Sequence, residues 1–474
     1  LLAARMDRLE ESTRATLQIA SVIGRSFYRR VLQAVTEASQ ELDKNLSTLI
    51  RLEMIREAAH VPELEYAFRN PLTQEAVYKT ILLKRRRAFH HRVGEAMETL
   101  FPERLEALCG LLAYHFSQAG ERDKAIKYSR LAARQAVAVY AYDDAIQNLR
   151  KALELMEAGD PAEIRLGLLE ELADVYHLVR DFGQSISLYR QALDLSRSLQ
   201  EGDPIVTVRL HRKIIQIAVG AKWSVNAATY RQVGEIRMES RASLEESLDT
   251  MTRQPPHSET VHLLAALSID AWRNQTPPDW DAAQRYAQGA VEMAEQLDEA
   301  VTLSKALGTM AGVLDGRSLL REHLQVALRR LEISREPRFD DTAESLDALR
   351  GMGVALMYVG EYEQAIPYLA EAESLSVRVQ APDQQVNAIG IQSQCLFRLD
   401  RWDELLALEE RWRDLERRYT RERIGETCFF AALSASVHAL RGDTERASEY
   451  AKESYEYMVT VSGEPEHWQR NQFY

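Results

Sequence analysis

Three cysteines, Cys109, Cys395 and Cys428, are scattered through 474 residues with no Cys-x-x-Cys pair. That excludes a disulfide framework and reads as free core thiols in a reducing cytoplasm. Proline (13) and glycine (21) are scarce, which suits long helices joined by short turns. No apolar run approaches the roughly 18 residues that a membrane span needs, and a secretory leader is not expected. The sequence holds no Gly-Lys dipeptide, so no Gly-x4-Gly-Lys-Ser/Thr loop can cradle phosphates. His-Glu-x2-His, Gly-x-Ser-x-Gly and calcium-loop patterns are missing as well. A catalytic constellation is therefore not expected, nor a cofactor or metal held by this chain.

What remains is the composition of a soluble folded protein, 46% hydrophobic and 28% charged. The length suits several domains or one extended repeat array. Net charge is −13, which disfavours nucleic acid as a general partner. The charge is uneven: residues 1–100 carry 16 Lys/Arg against 13 Asp/Glu, and the other 374 carry 43 against 59. A mildly basic head thus precedes an acidic body. The chain starts at Leu1, and its first ten residues already read as helix, so a piece of a longer polypeptide is expected.

Internal repetition dominates the body. The clearest unit is Leu349-x3-Gly353-x2-Leu356-x3-Gly360-x-Tyr362-x2-Ala365-x3-Leu369-x2-Ala372. Matching spacing recurs at Leu169, Ala173, Tyr176, Ser185, Tyr189 and Ala192, at Gly308, Leu320, Leu324 and Ala327, and at Ala113, Gly120, Ala125 and Ala132. Each unit reads as two amphipathic helices, with small residues where they cross and larger ones filling the gap to the next unit. No unit buries its apolar stripe alone, so neighbours must stack. The pattern resembles the tetratricopeptide repeat over roughly residues 105–455. The expected fold is all-α: a right-handed α-α superhelix across 101–474, with an irregular insertion at about 203–260.

The head, residues 1–100, reads as a helix over Thr13–Ile23 and a turn with Ser26 as N-cap. Helices follow over Phe27–Val35 and Gln40–Leu52, then two short strands, Met54–Ala58 and Leu64–Phe68, joined by a turn at His60-Val61-Pro62. One long helix is expected from Pro71 to Leu100. This describes a small winged-helix domain.

Several segments of the head stand in an order with a specific resemblance. They are Ala4-Arg5-x-Asp7-x-Leu9, Leu17-Gln18-x-Ala20-Ser21-Val22-Ile23-Gly24-Arg25, Phe68-Arg69-Asn70-Pro71-Leu72-Thr73, Arg87-x2-His90-x2-Val93 and Leu112-Ala113-x-His115-Phe116. The succession resembles the region just after the nucleotide-binding domain in bacterial signal-transduction ATPases with numerous domains. Many of these are fused to class III adenylate/guanylate cyclase or kinase domains. The resemblance implies an AAA-like NTPase before residue 1, binding ATP or ADP there, then a winged helix, then a repeat array as sensor. Where relatives often have histidine this chain has Asn70, a nucleotide-sensing position at which asparagine offers a hydrogen bond but no imidazole.

The basic run Lys84-Arg85-Arg86-Arg87 suits docking to an acidic face of the adjoining NTPase, with nucleic acid or a plain solvated helix as alternatives. The charges of the recognition-helix candidate, Glu41, Asp43, Lys44 and Arg51, cancel, which is poor for gripping phosphates. His90, His91 and His115 lack a third ligand nearby and read as core or interface histidines. In tetratricopeptide arrays the first helix of each pair lines the concave face. Repeat spacing places Arg130, Arg134, Asp174, His177 and Lys305 on or near it. Arg350, Met357, Tyr358, Gln394, Phe397 and Arg398 join them as candidates for a protein or peptide partner. The expected function is that of a regulatory sensor, with a passive oligomerisation scaffold or a DNA-binding regulator as alternatives. Oligomeric state is open.

Overall fold

The computed structural model describes residues 6, 8–36, 41–60, 63–179, 181–199, 204–221, 227–379, 381–419 and 426–462. The expected Ala4-Arg5-x-Asp7 helix start and the Val61-Pro62 turn lie outside them. The chain forms two compact units, residues 1–179 and 180–474.

The first unit opens with α1 (Glu11–Ile23), β1 (Ser26–Tyr28), α2 (Arg29–Val35), α3 (Leu42–Arg51), β2 (Ile55–Ala59) and β3 (Glu65–Phe68). The strands form one antiparallel sheet in the order β1-β3-β2, with Ser26 facing Ala67 and Ile55 facing Phe68. Ser26 therefore begins a strand and is not a helix cap. Phe27 of that strand packs its ring 5.9 Å from Tyr66 and 6.0 Å from Phe68. Buried Asn45 ties α3 to α1: its Oδ1 accepts from Thr13 Oγ1 at 2.9 Å and its Nδ2 donates to Thr16 Oγ1 at 3.1 Å.

The long helix expected from Pro71 is two, α4 (Pro71–Lys79) and α5 (Leu83–Leu100). Tyr78 and Val77 carbonyls accept from the Thr80 amide and close α4. Helices α6 (Cys109–Ala119), α7 (Arg122–Ala138), α8 (Tyr142–Leu155) and α9 (Ala162–Leu178) complete the unit. One hydrophobic core runs from Met6 to Ala132, so residue 100 falls inside it. Gly94 of α5 lies against Phe116 of α6, where a Cβ would come within 2.7 Å of the ring. Beside that contact Tyr78 Oη is 3.0 Å from His90 Nε2, and His90 Nδ1 is 2.9 Å from His115 Nδ1. Both histidines are fully buried, and burial holds them neutral at pH 7, lowering His90 to about 4 and His115 to about 3.

The second unit is helical throughout its described residues: α10 (Phe182–Ser198), α11 (Pro204–Ala221), α12 (Ala227–Thr252), α13 (Ser258–Arg273), α14 (Trp280–Leu297), α15 (Ala300–Gly316) and α16 (Leu320–Ser334). It continues with α17 (Thr342–Tyr358), α18 (Tyr362–Arg378), α19 (Pro382–Arg398), α20 (Trp402–Tyr419), α21 (Glu426–Leu440) and α22 (Thr444–Ser462). Consecutive helices pair, and the first helices of successive pairs also pack on one another, α13 on α15, α15 on α17 and α17 on α19. Within residues 203–260, where the repeat spacing is irregular, the pair α11/α12 forms, and α11 packs on α13 like any other first helix.

Several turns between consecutive helices repeat one backbone. Gly120, Gly360 and Gly442 take φ of 85°, 86° and 80°, and Tyr140, Ser318 and Asp400 adopt the same left-handed region at 59°, 59° and 58°. This conformation satisfies the last carbonyls of a helix and reverses the chain in two residues. Within a pair the helices cross at small residues. At Gly353 a Cβ would lie 2.5 Å from Cγ and Cδ2 of Leu369, which is fully buried. Gly353→Ala is expected to cost about 1–3 kcal/mol through overpacking, read as a lower urea midpoint. An unchanged or raised midpoint would contradict so close a crossing.

Candidate binding face of the repeats

The eleven groove candidates divide between the units. Arg130 and Arg134 lie on α7, and Asp174 and His177 on α9. Both arginines hold one carboxylate: Glu171 is 2.9 Å from Arg130 Nε and 2.7 Å from Arg134 Nη2. A Cβ on Gly167 would sit 3.0 Å from Arg130 Nη2, so this glycine makes room for the cross-link. These arginines already brace α7 against α9.

In the head, Asn70 caps α4, its Oδ1 accepting from the Leu72 amide at 2.8 Å. The basic run splits in two. Arg86 lies 4.2 Å over the Tyr78 ring and donates from Nη2 to the Ile81 carbonyl at 3.0 Å. Lys84, Arg85 and Arg87 are exposed beside Leu82 and Leu83. On α3, Asp43 pairs with Arg29 at 2.8 Å and Lys44 with Glu10 at 3.5 Å.

The other seven candidates fall on three neighbouring first helices: Lys305 on α15, Arg350, Met357 and Tyr358 on α17, and Gln394, Phe397 and Arg398 on α19. On these helices and on α13, half-buried positions recur every three or four residues, as at His262, Ala265, Ile269 and Trp272. The period is that of one helical face. Its middle is small: Ala265, Gly308, Gly312, Gly351 and Gly390.

Toward the start of the helices the face carries an ionic network. Arg330, on α16 and 6% exposed, reaches between α15 and α17. Its Nη2 is 2.6 Å from both Glu344 Oε1 and Asp347 Oδ2, and its Nε lies 3.1 Å from Glu344 Oε1 and 3.3 Å from Ser304 Oγ. Arg350 pairs with Asp347 from the same helix, and Lys305 with Asp341 at 3.2 Å. Burial alone would raise the Asp347 carboxyl, but the guanidinium groups of Arg350 and Arg330 outweigh it and hold it well below the usual carboxylate range.

Toward the helix ends the face turns aromatic. Trp272 stacks on Trp280 at 5.7 Å and lies over Gly312, 3.5 Å from where its Cβ would be. Tyr358 is 43% exposed, its ring 6.2 Å from that of buried His323. Burial, with the Asp315 carboxylate nearby, raises the Tyr358 phenol. Repeat spacing found the candidates on α15, α17 and α19. It missed Trp272, which stands at the matching end of α13, and Arg330, which sits on a second helix and reaches the face through it.

The described residues include no cluster of three His, Cys, Asp or Glu placed to hold a metal, and no helix long and apolar enough to cross a membrane. No family model and no curated protein matches the sequence. Among solved structures, the Signal Transduction ATPase with Numerous Domains (STAND) protein with a tetratricopeptide repeat sensor from Pyrococcus horikoshii is similar over 96% of this chain, at 10% identity and a TM-score of 0.52. This chain spans 65% of that protein's length. Weaker similarity extends to a Rap protein complexed with competence and sporulation factor (12% identity, 80% of this chain, 99% of that one, TM-score 0.46). It extends also to the apo quorum sensor NprR from B. thuringiensis (16%, 80%, 98% and 0.45). The fold is that of tetratricopeptide-like repeats.

Because the folded Asp347 carboxyl lies below its unfolded value of about 4, its contribution is complete above that pH and is lost as pH falls below it. Asp347→Asn should cost about 1–2 kcal/mol at pH 7. That is small for a charge network, because Asp347 keeps 35% of its side chain exposed. The gap from the unmodified protein should narrow toward pH 3 in urea titrations. A gap independent of pH would contradict the network.

Proposed function

We propose that this chain is a regulatory sensor, not a catalyst. The first-helix face of its second unit binds a protein or peptide, and the head relays occupancy to an NTPase domain of a longer parent polypeptide. One observation carries the binding half. A glycine inside a helix costs about 1 kcal/mol relative to alanine, and at Gly94 and Gly353 close packing explains it. At Gly390, in the middle of α19, a Cβ would meet nothing within 4 Å among the described residues. The chain tolerates that cost on the face where Tyr358, Gln394, Phe397 and Arg398 gather, which suits the close approach of another backbone.

The relay half rests on the head. Its helix–strand–helix–helix–strand–strand order supports reading it as a winged helix, and its core is continuous with the first repeats. The P. horikoshii protein, whose repeats are described as a sensor on a signal-transduction ATPase, supports the same arrangement. In that arrangement Lys84, Arg85 and Arg87 face the NTPase, and any ATP or ADP belongs to it. The paired charges on α3 disfavour a DNA-reading role. A ligand relays only if it prefers one of two conformations, so a passive scaffold is the reading to beat.

Selection of a random decapeptide pool on the full chain tests the binding half. Binders should emerge, and Tyr358→Ala with Phe397→Ala should weaken them at least tenfold without lowering the unfolding free energy from urea titration by more than about 1–2 kcal/mol. No binders, or binders indifferent to both substitutions, would leave the scaffold reading.

A further inference from the structure

The Arg330 network bears on what kind of group the face accepts. Arg330 comes from behind, on α16, and its guanidinium ends between two glycines of the face. A Cβ on Gly308 would lie 2.9 Å from Cζ and 3.0 Å from Nη1, and one on Gly351 would lie 3.5 Å from Nη1. Any side chain at Gly308 would collide with the guanidinium, and even a methyl at Gly351 would close over Nη1. The two glycines thus leave a window above this nitrogen.

The other polar atoms of Arg330 are committed. Nε and Nη2 donate to Ser304, Glu344 and Asp347. Nη1 has no hydrogen-bond partner among the described residues and is not sealed from solvent. The residue as a whole is only 6% exposed, so this donor meets little water, and an acceptor brought by a ligand would pair it. Exposed Lys305 precedes Gly308 by one helical turn, and Arg350 precedes Gly351 directly.

We propose that the Gly308–Gly351 window is a carboxylate subsite, in which Arg330 Nη1 donates to a carboxylate of the bound peptide and Lys305 and Arg350 flank it. This deepens the peptide-binding reading and rests on it. Glu344 and Asp347 already offset Arg330 and Arg350, so the site suits a singly charged planar acceptor and repels a phosphate dianion. Fixed donors in a partly dry slot give such a bond its strength. The carboxylate comes from an acidic side chain or from the peptide C-terminus.

The test takes decapeptides selected on the full chain and measures their affinity by fluorescence anisotropy in three forms: as selected, with an amidated C-terminus, and with each Asp or Glu changed in turn to Asn or Gln. One of these changes should weaken binding to the unmodified chain about tenfold, and which one does so names the source of the carboxylate. Gly351→Ala caps Nη1 at ordinary contact distance without breaking the network, so it should keep the fold and abolish that tenfold difference. Gly308→Ala, which displaces the guanidinium, should do the same with a lower unfolding midpoint. Peptides that bind equally in all forms would overturn the subsite while leaving peptide binding intact. So would a carboxylate effect that survives Gly351→Ala. Failure to select any binder would overturn both.

Discussion

Everything in the second unit depends on helices approaching more closely than ordinary side chains permit. A single helical pair exposes an apolar stripe that it cannot cover, and the next pair covers it only if the backbones come near. Gly353 against Leu369 marks one such crossing, and Gly94 against Phe116 marks one in the first unit. The left-handed turn residues, from Gly120 to Gly442, make the reversal short enough for each pair to form. Close approach also brings first helices side by side, and that creates the face.

The same constraint separates two uses of glycine. At a crossing, a glycine is explained by the atom it touches. On the face, Gly308 and Gly351 accommodate a guanidinium, and Gly390 accommodates nothing among the described residues. A repeat protein that only needed to stand up would gain from alanine at the last of these. Charge follows the same division. The Glu171 pairings of Arg130 and Arg134 brace helices, whereas the Arg330 network is neutral as a whole yet leaves Arg330 Nη1 without a hydrogen-bond partner among the described residues.

Much of the fold was legible from spacing, because repeat periodicity is written in local residues. The Leu349–Ala372 unit and the faces holding Tyr358 and Phe397 follow from it. The misreadings share a cause. β1 is three residues long and exists because β3, some forty positions later, pairs with it, so Ser26 looked like a cap. The break at Thr80–Leu82 carries neither glycine nor proline, and only the packing of α4 on α1 and of α5 on α2 reveals it. Lys305 and Arg350 were found as isolated surface candidates, but their partners Asp341 and Asp347, and Arg330 beneath them, depend on side chains meeting across helices. No spacing rule encodes that.

The central claim is that the first-helix face is kept open for a ligand at a cost to the fold. Gly390→Ala tests it most directly, by urea unfolding and peptide affinity measured on the same preparation. The account predicts a chain more stable by about 0.5–1 kcal/mol that binds its selected peptides about tenfold more weakly. A variant that is more stable and binds as well as before would show that the glycine serves no ligand. A less stable one would show that it serves the fold.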